Sequence, residues 1–519
     1  MLNSIENFSN SELYFEYHCI DQWPPLAWFA QCSKENKKIV VWHGNNVEIN
    51  REWFCEAVWP DSFLEGNFDK TDLVAGTGAR IRENTIVFVA PGNTVDRILS
   101  IEVEDKLLVS NSLACLLAVS GAEVDITYSD YYGDFTTIVK GISEYKKTIK
   151  TSMGDLQITM FGYIVWNQLE ISYLIRKITN RDFHSFNEYE QFLQLNFNKL
   201  YENMSDKGRI KKYQPLSTIS SGYDSTAISA LAKQAGCKDA LCIDTDRYGN
   251  LENGNLVASY LNLNPIQIKR DAWLHLNGEE LYFLAADATA EAVFMAGAGE
   301  LLTNRVLFTG YHGDKLWSKD TKDLSENIVR GDSSGLSLTE YRLWKSFIHC
   351  PITFWGVQQI CSINQISNSE EMKPWDIPGD YSRPIPRRIA ESMGVPRDVF
   401  GITKKASAIG STEFLSQNSL KDYRTWLSSN RREWLKRGRL PPITNRNFER
   451  LTEKLFYFFQ YLLLRTPYLW RLVPDNSLDR PSGMRRYVFT WAVNKVKELY
   501  RIQLTNSNAE SLRKNKIDF

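Results

Sequence analysis

Between Pro215 and Thr309 the hydrophobic period of the chain switches repeatedly between strand-like runs and helical spacing, and few folds accept that pattern. Leu216 to Ile219 reads as a short strand, residues 220 to 224 as a loop, and Ala227, Ile228, Leu231 and Ala235 fall at helical spacing before Gly236. Further strands are predicted at Ala240 to Asp244, Pro265 to Ile268 and Arg305 to Thr309, with helices at about 252–262 and 279–296. Strands alternating with helices imply a parallel sheet covered on both faces, with ligands at the carboxyl ends of its strands.

The rest of the chain follows different grammars. Up to about residue 165, runs such as Lys38–Trp42, Thr85–Val89 and Lys106–Ser110 sit between Gly, Asn and Asp turn signals and read as β-rich. A helical bridge is expected at about 170–205, and residues 339–519 look mostly helical. At 519 residues the chain is too long for one ordinary core. Two domains are expected, at 1–170 and 171–519.

Composition excludes several function classes. A net charge of -1 offers no general attraction to nucleic acid. The eight cysteines form no CxxC, so they read as reduced thiols of a cytoplasmic protein, and also argue against a sulfur relay to tRNA. Met1 to Glu6 has no signal-peptide character. The longest apolar stretch, Leu455 to Leu464, is too short to span a bilayer, which needs about 20 residues. No transmembrane segment is expected, and this stretch is read as a buried helix rather than a membrane-surface one.

The loop Ser220-Ser221-Gly222-Tyr223-Asp224-Ser225-Thr226 carries the chemistry. Small residues at a helix start leave backbone N–H groups open to a phosphate, and the helix dipole adds partial positive charge there. A carboxylate in such a loop makes sense when it carries a metal ion. Taken alone, the segment would ordinarily be read as a helix N-cap, with Asp224 and Ser225 satisfying the first turn.

The loop resembles the SGGxDS signature of the ATP-pyrophosphatase (PP-loop) superfamily, in particular the asparagine-synthetase-like synthetases, with Ser221 replacing the first family glycine. The resemblance implies an α/β architecture: an N-terminal glutaminase-like (Ntn-type) β-rich α+β domain, then a parallel-sheet synthetase domain with a helical C-terminal part. It implies ATP and Mg²⁺ as cofactors, with nucleotide contacts at Ile219, Ser220, Ser221, Gly222, Asp224, Ser225, Thr226, Ile243, Thr309, Gly310 and Lys404. Thr309-Gly310-Tyr311-His312-Gly313-Asp314 is similar to the family's second metal segment, which pairs Asp314 with Asp224 as magnesium ligands. Tyr311 is similar to the tyrosine of β-lactam synthetase-like enzymes, whose partner glutamate aligns with Glu340. Lys404, six residues before Gly410, fits the family's lysine on the leaving group, with Lys405 as the alternative. The arginines of Arg383-Pro384-Ile385-Pro386-Arg387-Arg388 precede that lysine and are not ranked among themselves. The stretch from Asp320 to Gly335 reads as a lid or a surface loop.

Leu2 stands where glutamine-using relatives expose a cysteine, so the first domain is expected to lack that nucleophile. The implied activity is a ligase that adenylates a small-molecule or peptide carboxylate and couples it to an amine, with ring closure within one substrate in view. Alternatives are an ammonia-dependent, asparagine-synthetase-like amidotransferase and a non-catalytic nucleotide-binding relative. A homodimer is compatible with the resemblance.

Overall fold

Five short apolar runs assemble into one parallel sheet: Gln214–Ile219 (β1), Asp239–Ile243 (β2), Asn264–Ile268 (β3), Arg305–Thr309 (β4) and Ile348–Pro351 (β5). These labels are kept for this sheet alone. The order is β3-β2-β1-β4-β5, with every pair parallel. The chain builds outward from β1 to β3, then returns to lay β4 on the other side of β1. That reversal opens a crevice between the carboxyl ends of β1 and β4, the place where sheets of this kind hold ligands.

The computed structural model describes residues 12–178, 181–246, 249–377, 381–402, 415–439, 441–442 and 486–514, with Leu455, Phe458 and Leu462. Before β1 lie a seven-stranded and a six-stranded sheet, antiparallel except for the parallel pairing of Tyr14–Cys19 with Asn36–His43. Alternate residues of one sheet (Trp28, Ala30, Cys32, Val41, Leu107, Val109) share a core with alternate residues of the other (Phe54, Ala79, Ile86, Phe88, Ile164, Trp166). The period-two pattern thus buries one face of each sheet against its neighbour. The molecule is mixed α/β, as expected, and all eight cysteines are free thiols. No described helix is long and apolar enough to cross a membrane.

Four helices matter for the site: Leu113–Ser120 (α1), Tyr223–Gln234 (α2), Glu280–Asp287 (α3) and Leu338–Lys345 (α4). A fifth, Val488–Lys514 (α5), packs across α1 and α3 and so ties the antiparallel sheets to the parallel one.

Four expectations need correction. The bridge read as helical over 170–205 opens with a strand, Ile171–Ile175, and its helix spans Phe186–Met204. The helix predicted over 279–296 stops at Asp287, because Ala288 and Ala290 adopt positive φ of 69° and 51°. Asp287 stabilises the break by accepting from both the N–H (2.9 Å) and the hydroxyl (2.8 Å) of Thr289. β5 lies inside the region read as mostly helical. Of the stretch Leu455–Leu464, only Leu455, Phe458 and Leu462 are described, and all three are exposed rather than buried.

Candidate active site

The loop leaving β1 is fixed by its own hydroxyls. Ser220 Oγ lies 2.6 Å from Ser225 Oγ and accepts from the Gly222 N–H at 3.1 Å, while Thr226 Oγ1 donates to the Ser220 carbonyl at 3.0 Å. Gly222 is extended, and α2 begins on it with no side-chain cap. The N-cap reading of Asp224 and Ser225 is therefore not what the loop adopts. An uncapped helix start facing a cavity is a ready anion seat.

The turn after β4 comes against this loop. A Cβ placed at Gly313 would lie 2.6 Å from Asp224 Cγ, and one at Gly310 would lie 2.8 Å from Asp224 Cβ. Only glycine permits so close an approach. It brings Asp224 and Asp314, each in the first turn of the helix that follows β1 or β4, to the wall of one cavity of about 370 Å³. Two carboxylates beside an uncapped helix start fit a hard, oxygen-seeking ion such as Mg²⁺, which commonly takes one or two carboxylates and completes its shell with other oxygens and water. Arg383 also reaches this point and pairs with Asp224 Oδ2 at 2.5 Å.

The cavity also holds an acidic, largely desolvated group. Burial, together with Asp332 and Asp287, pushes the Glu291 carboxyl up to about 7. Burial, then Glu291 and Asp332, holds the Tyr311 phenol well above its ordinary value. His312, in left-handed backbone (φ 78°) and stacked on Phe354, is drawn down to about 3 by burial and by Arg330 and Lys315, so its imidazole is neutral. Segment 327–335 reaches the cavity and is held to the antiparallel sheets' loops. Asn327 Nδ2 donates to the Lys140 carbonyl (3.0 Å), and Arg330 donates to the carbonyls of Val139 (3.0 Å, through its N–H) and Thr94 (2.9 Å, through Nη1). Asp332, Ser334 and Gly335 thereby become cavity wall.

Of the residues expected from sequence, Ile219, Ser220, Gly222, Asp224, Ser225, Ile243, Thr309, Gly310, Tyr311 and Asp314 all line the cavity. Ser221 and Thr226 do not. The Ser221 N–H donates to Glu252 Oε1 at 2.7 Å, and Thr226 is fully buried beneath the loop. Glu340 is not brought to Tyr311. Its Oε2 accepts from Ser112 Oγ at 2.6 Å and its Oε1 from Trp344 Nε1 and Tyr500 OH, both at 2.9 Å. The acids acting on Tyr311 are Glu291 and Asp332. Lys404, Lys405 and Gly410 lie outside the described residues. The segment leading to them starts against the loop, where the Gly401 N–H donates to the Ser221 carbonyl at 2.8 Å.

Glu291, Asp332 and Glu252 were missed from sequence, and among the three arginines only Arg383 lines the cavity. Arg387 is buried on the Tyr223 hydroxyl (2.6 Å) and Arg388 pairs with Glu371 at 3.0 Å. The break after Asp287 was the one signal for Glu291, and it depends on backbone angles that composition does not announce. Compared with protein-family models and with curated protein sequences, the chain matches none.

Proposed function

We propose that the protein is an ATP-dependent ligase that adenylates a substrate carboxylate, releasing pyrophosphate, and passes the acyl group to an amine. The observation that carries this reading is the approach of Gly310 and Gly313 to Asp224, which sets Asp224 and Asp314 together beside an uncapped helix start. In this reading the amides at the start of α2 and the Ser220–Ser225 hydroxyl pair seat the phosphates. Asp224 and Asp314 would hold Mg²⁺, which when bound neutralises charge on the departing pyrophosphate. Ile219, Leu241 and Ile243 offer apolar wall for a base.

Glu291, on the wall of the same cavity, takes the proton of the attacking amine. A carboxyl near 7 is matched to that task at neutral pH, whereas the Tyr311 phenol stays protonated and orients by donating a hydrogen bond. This assignment replaces Glu340, whose two oxygens are committed to Ser112, Trp344 and Tyr500.

The test uses hydroxylamine in place of the unknown amine. With Mg-ATP and pooled amino-acid and peptide carboxylates, the protein should form hydroxamate together with AMP and pyrophosphate, and Asp224→Asn should form none. Release of ADP and phosphate, or hydroxamate formation unaffected by Asp224→Asn, would overturn the reading.

A further inference from the structure

Both charge-bearing sides of the phosphate loop are engaged by the protein's own side chains, with signs that match those of magnesium and phosphate. Arg383 is the residue before Pro384, which opens the helix Pro384–Ser392, so its backbone is set by that helix start. Its guanidinium pairs with Asp224 Oδ2, lies 5.3 Å from the centre of the Tyr381 ring, and is 8% exposed. Burial works against its charge, yet Asp224, Tyr381 and Asp314 together keep the guanidinium firmly protonated. It therefore stands in the field of both carboxylates assigned to the metal. On the phosphate side, Glu252 Oε1 accepts from the Ser221 N–H (2.7 Å) and from Asn253 N–H (3.1 Å), so a carboxylate fills an amide of the loop. A cation on the metal's carboxylate and an anion on a loop amide reproduce the two halves of a magnesium–phosphate unit.

We propose that Arg383 is a phosphate-binding residue of this site: Mg-ATP displaces it from Asp224, after which its guanidinium closes on the triphosphate, while Glu252 yields the Ser221 amide. The inference rests on the reading of this loop as a Mg-ATP site. Its chemistry is that of the guanidinium, whose flat fork of donors suits phosphate oxygens and which is weakly hydrated for a cation. Released from Asp224, it is already inside the cavity that the triphosphate must enter. No other arginine of that segment lines the cavity, since Arg387 is held by Tyr223 and Arg388 by Glu371. Glu252 plays the opposite part. Its negative charge competes with phosphate for one amide, so it sets a threshold that only a ligand of higher charge overcomes.

The experiment is equilibrium binding of ATP and of AMP, each with Mg²⁺, to the full chain and to Arg383→Met, Arg383→Lys and Glu252→Gln, with thermal denaturation confirming that each is folded. Loss of a charge-assisted contact to phosphate predicts that Arg383→Met weakens Mg-ATP by ~10-fold to ~100-fold. AMP, which lacks the outer phosphates, should bind within about twofold of wild type, and Arg383→Lys should retain most of the ATP affinity. Glu252→Gln should tighten Mg-ATP several-fold. Arg383→Met binding ATP as tightly as wild type, or losing AMP and ATP equally, would overturn the assignment of Arg383 alone. A wild-type chain that binds no Mg-ATP would overturn the reading of the loop as well.

Discussion

A methyl group at Gly310 would stand 2.8 Å from the Cβ of Asp224 and 2.9 Å from its carbonyl carbon, so the turn after β4 meets the first turn of α2 with no room for any side chain between them. That contact places two carboxylates beside one uncapped helix start. Gly310→Ala forces the turn after β4 away from α2, which should cost about 1–3 kcal/mol in urea denaturation. It should also remove Mg-ATP binding. Unchanged nucleotide affinity in a folded Gly310→Ala variant would count against the arrangement.

Glu340 is a structural residue in this account. It gathers Ser112 at the start of α1, Trp344 in α4 and Tyr500 in α5, and burial raises its carboxyl pKa while those three donors oppose the rise. Glu340→Ala strands three buried donors, each worth about 1–3 kcal/mol when left unmade. The midpoint of thermal unfolding should fall by several degrees or more. Hydroxamate formation per folded molecule should persist. Abolished chemistry at wild-type stability would restore Glu340 to the site.

The pH dependence follows from Glu291. Only its ionised form accepts a proton, so the amide-forming step should rise through about pH 7. Glu291→Gln should remove that rise and slow the step by about 10²–10⁴-fold. Stability runs the other way. The folded carboxyl titrates near 7 and the unfolded one near 4.5, so its favourable contribution is complete below about 4.5 and lost as pH rises through about 7. Denaturation of wild type and Glu291→Gln across pH 4 to 8 checks the sign, and parallel curves would contradict it.

A buried ion cluster joins the antiparallel sheets to the parallel one. Arg342 donates to both oxygens of Glu56 (2.6 and 2.9 Å) and to Asp96 Oδ2 (2.5 Å), and all three residues are buried. Arg342→Met leaves two carboxylates uncompensated, which should cost about 3–5 kcal/mol. Replacing Arg342 and Glu56 together with apolar residues should cost less than the sum of the single changes, a coupling that a double-mutant cycle measures.

What could be read in the sequence was what lies close together along it. β1, its loop and α2 occupy one continuous stretch whose period and small residues speak for themselves, and Asp314 follows from its place just beyond β4. Glu291 was hidden because Ala292, Phe294 and Met295 continue a helical spacing that the backbone abandons at Ala288. Arg383 meets Asp224 across 159 positions, and Ser112 meets Glu340 across 228. Those pairings are set by how the sheets pack, which local pattern does not encode. The same holds for the antiparallel layers. Lys38–Trp42, Thr85–Val89 and Lys106–Ser110 all fall in strands, but the order of those strands belongs to the assembled fold.

All of the proposed chemistry requires the loop after β1 to hold the phosphates of Mg-ATP through Asp224. Calorimetric titration of the full chain with ATP, with and without Mg²⁺, addresses it without knowledge of the acyl substrate. Binding should be saturable, should require Mg²⁺ and should disappear in Asp224→Ala. Absence of binding, or binding that survives both removal of Mg²⁺ and Asp224→Ala, would contradict that role of the loop.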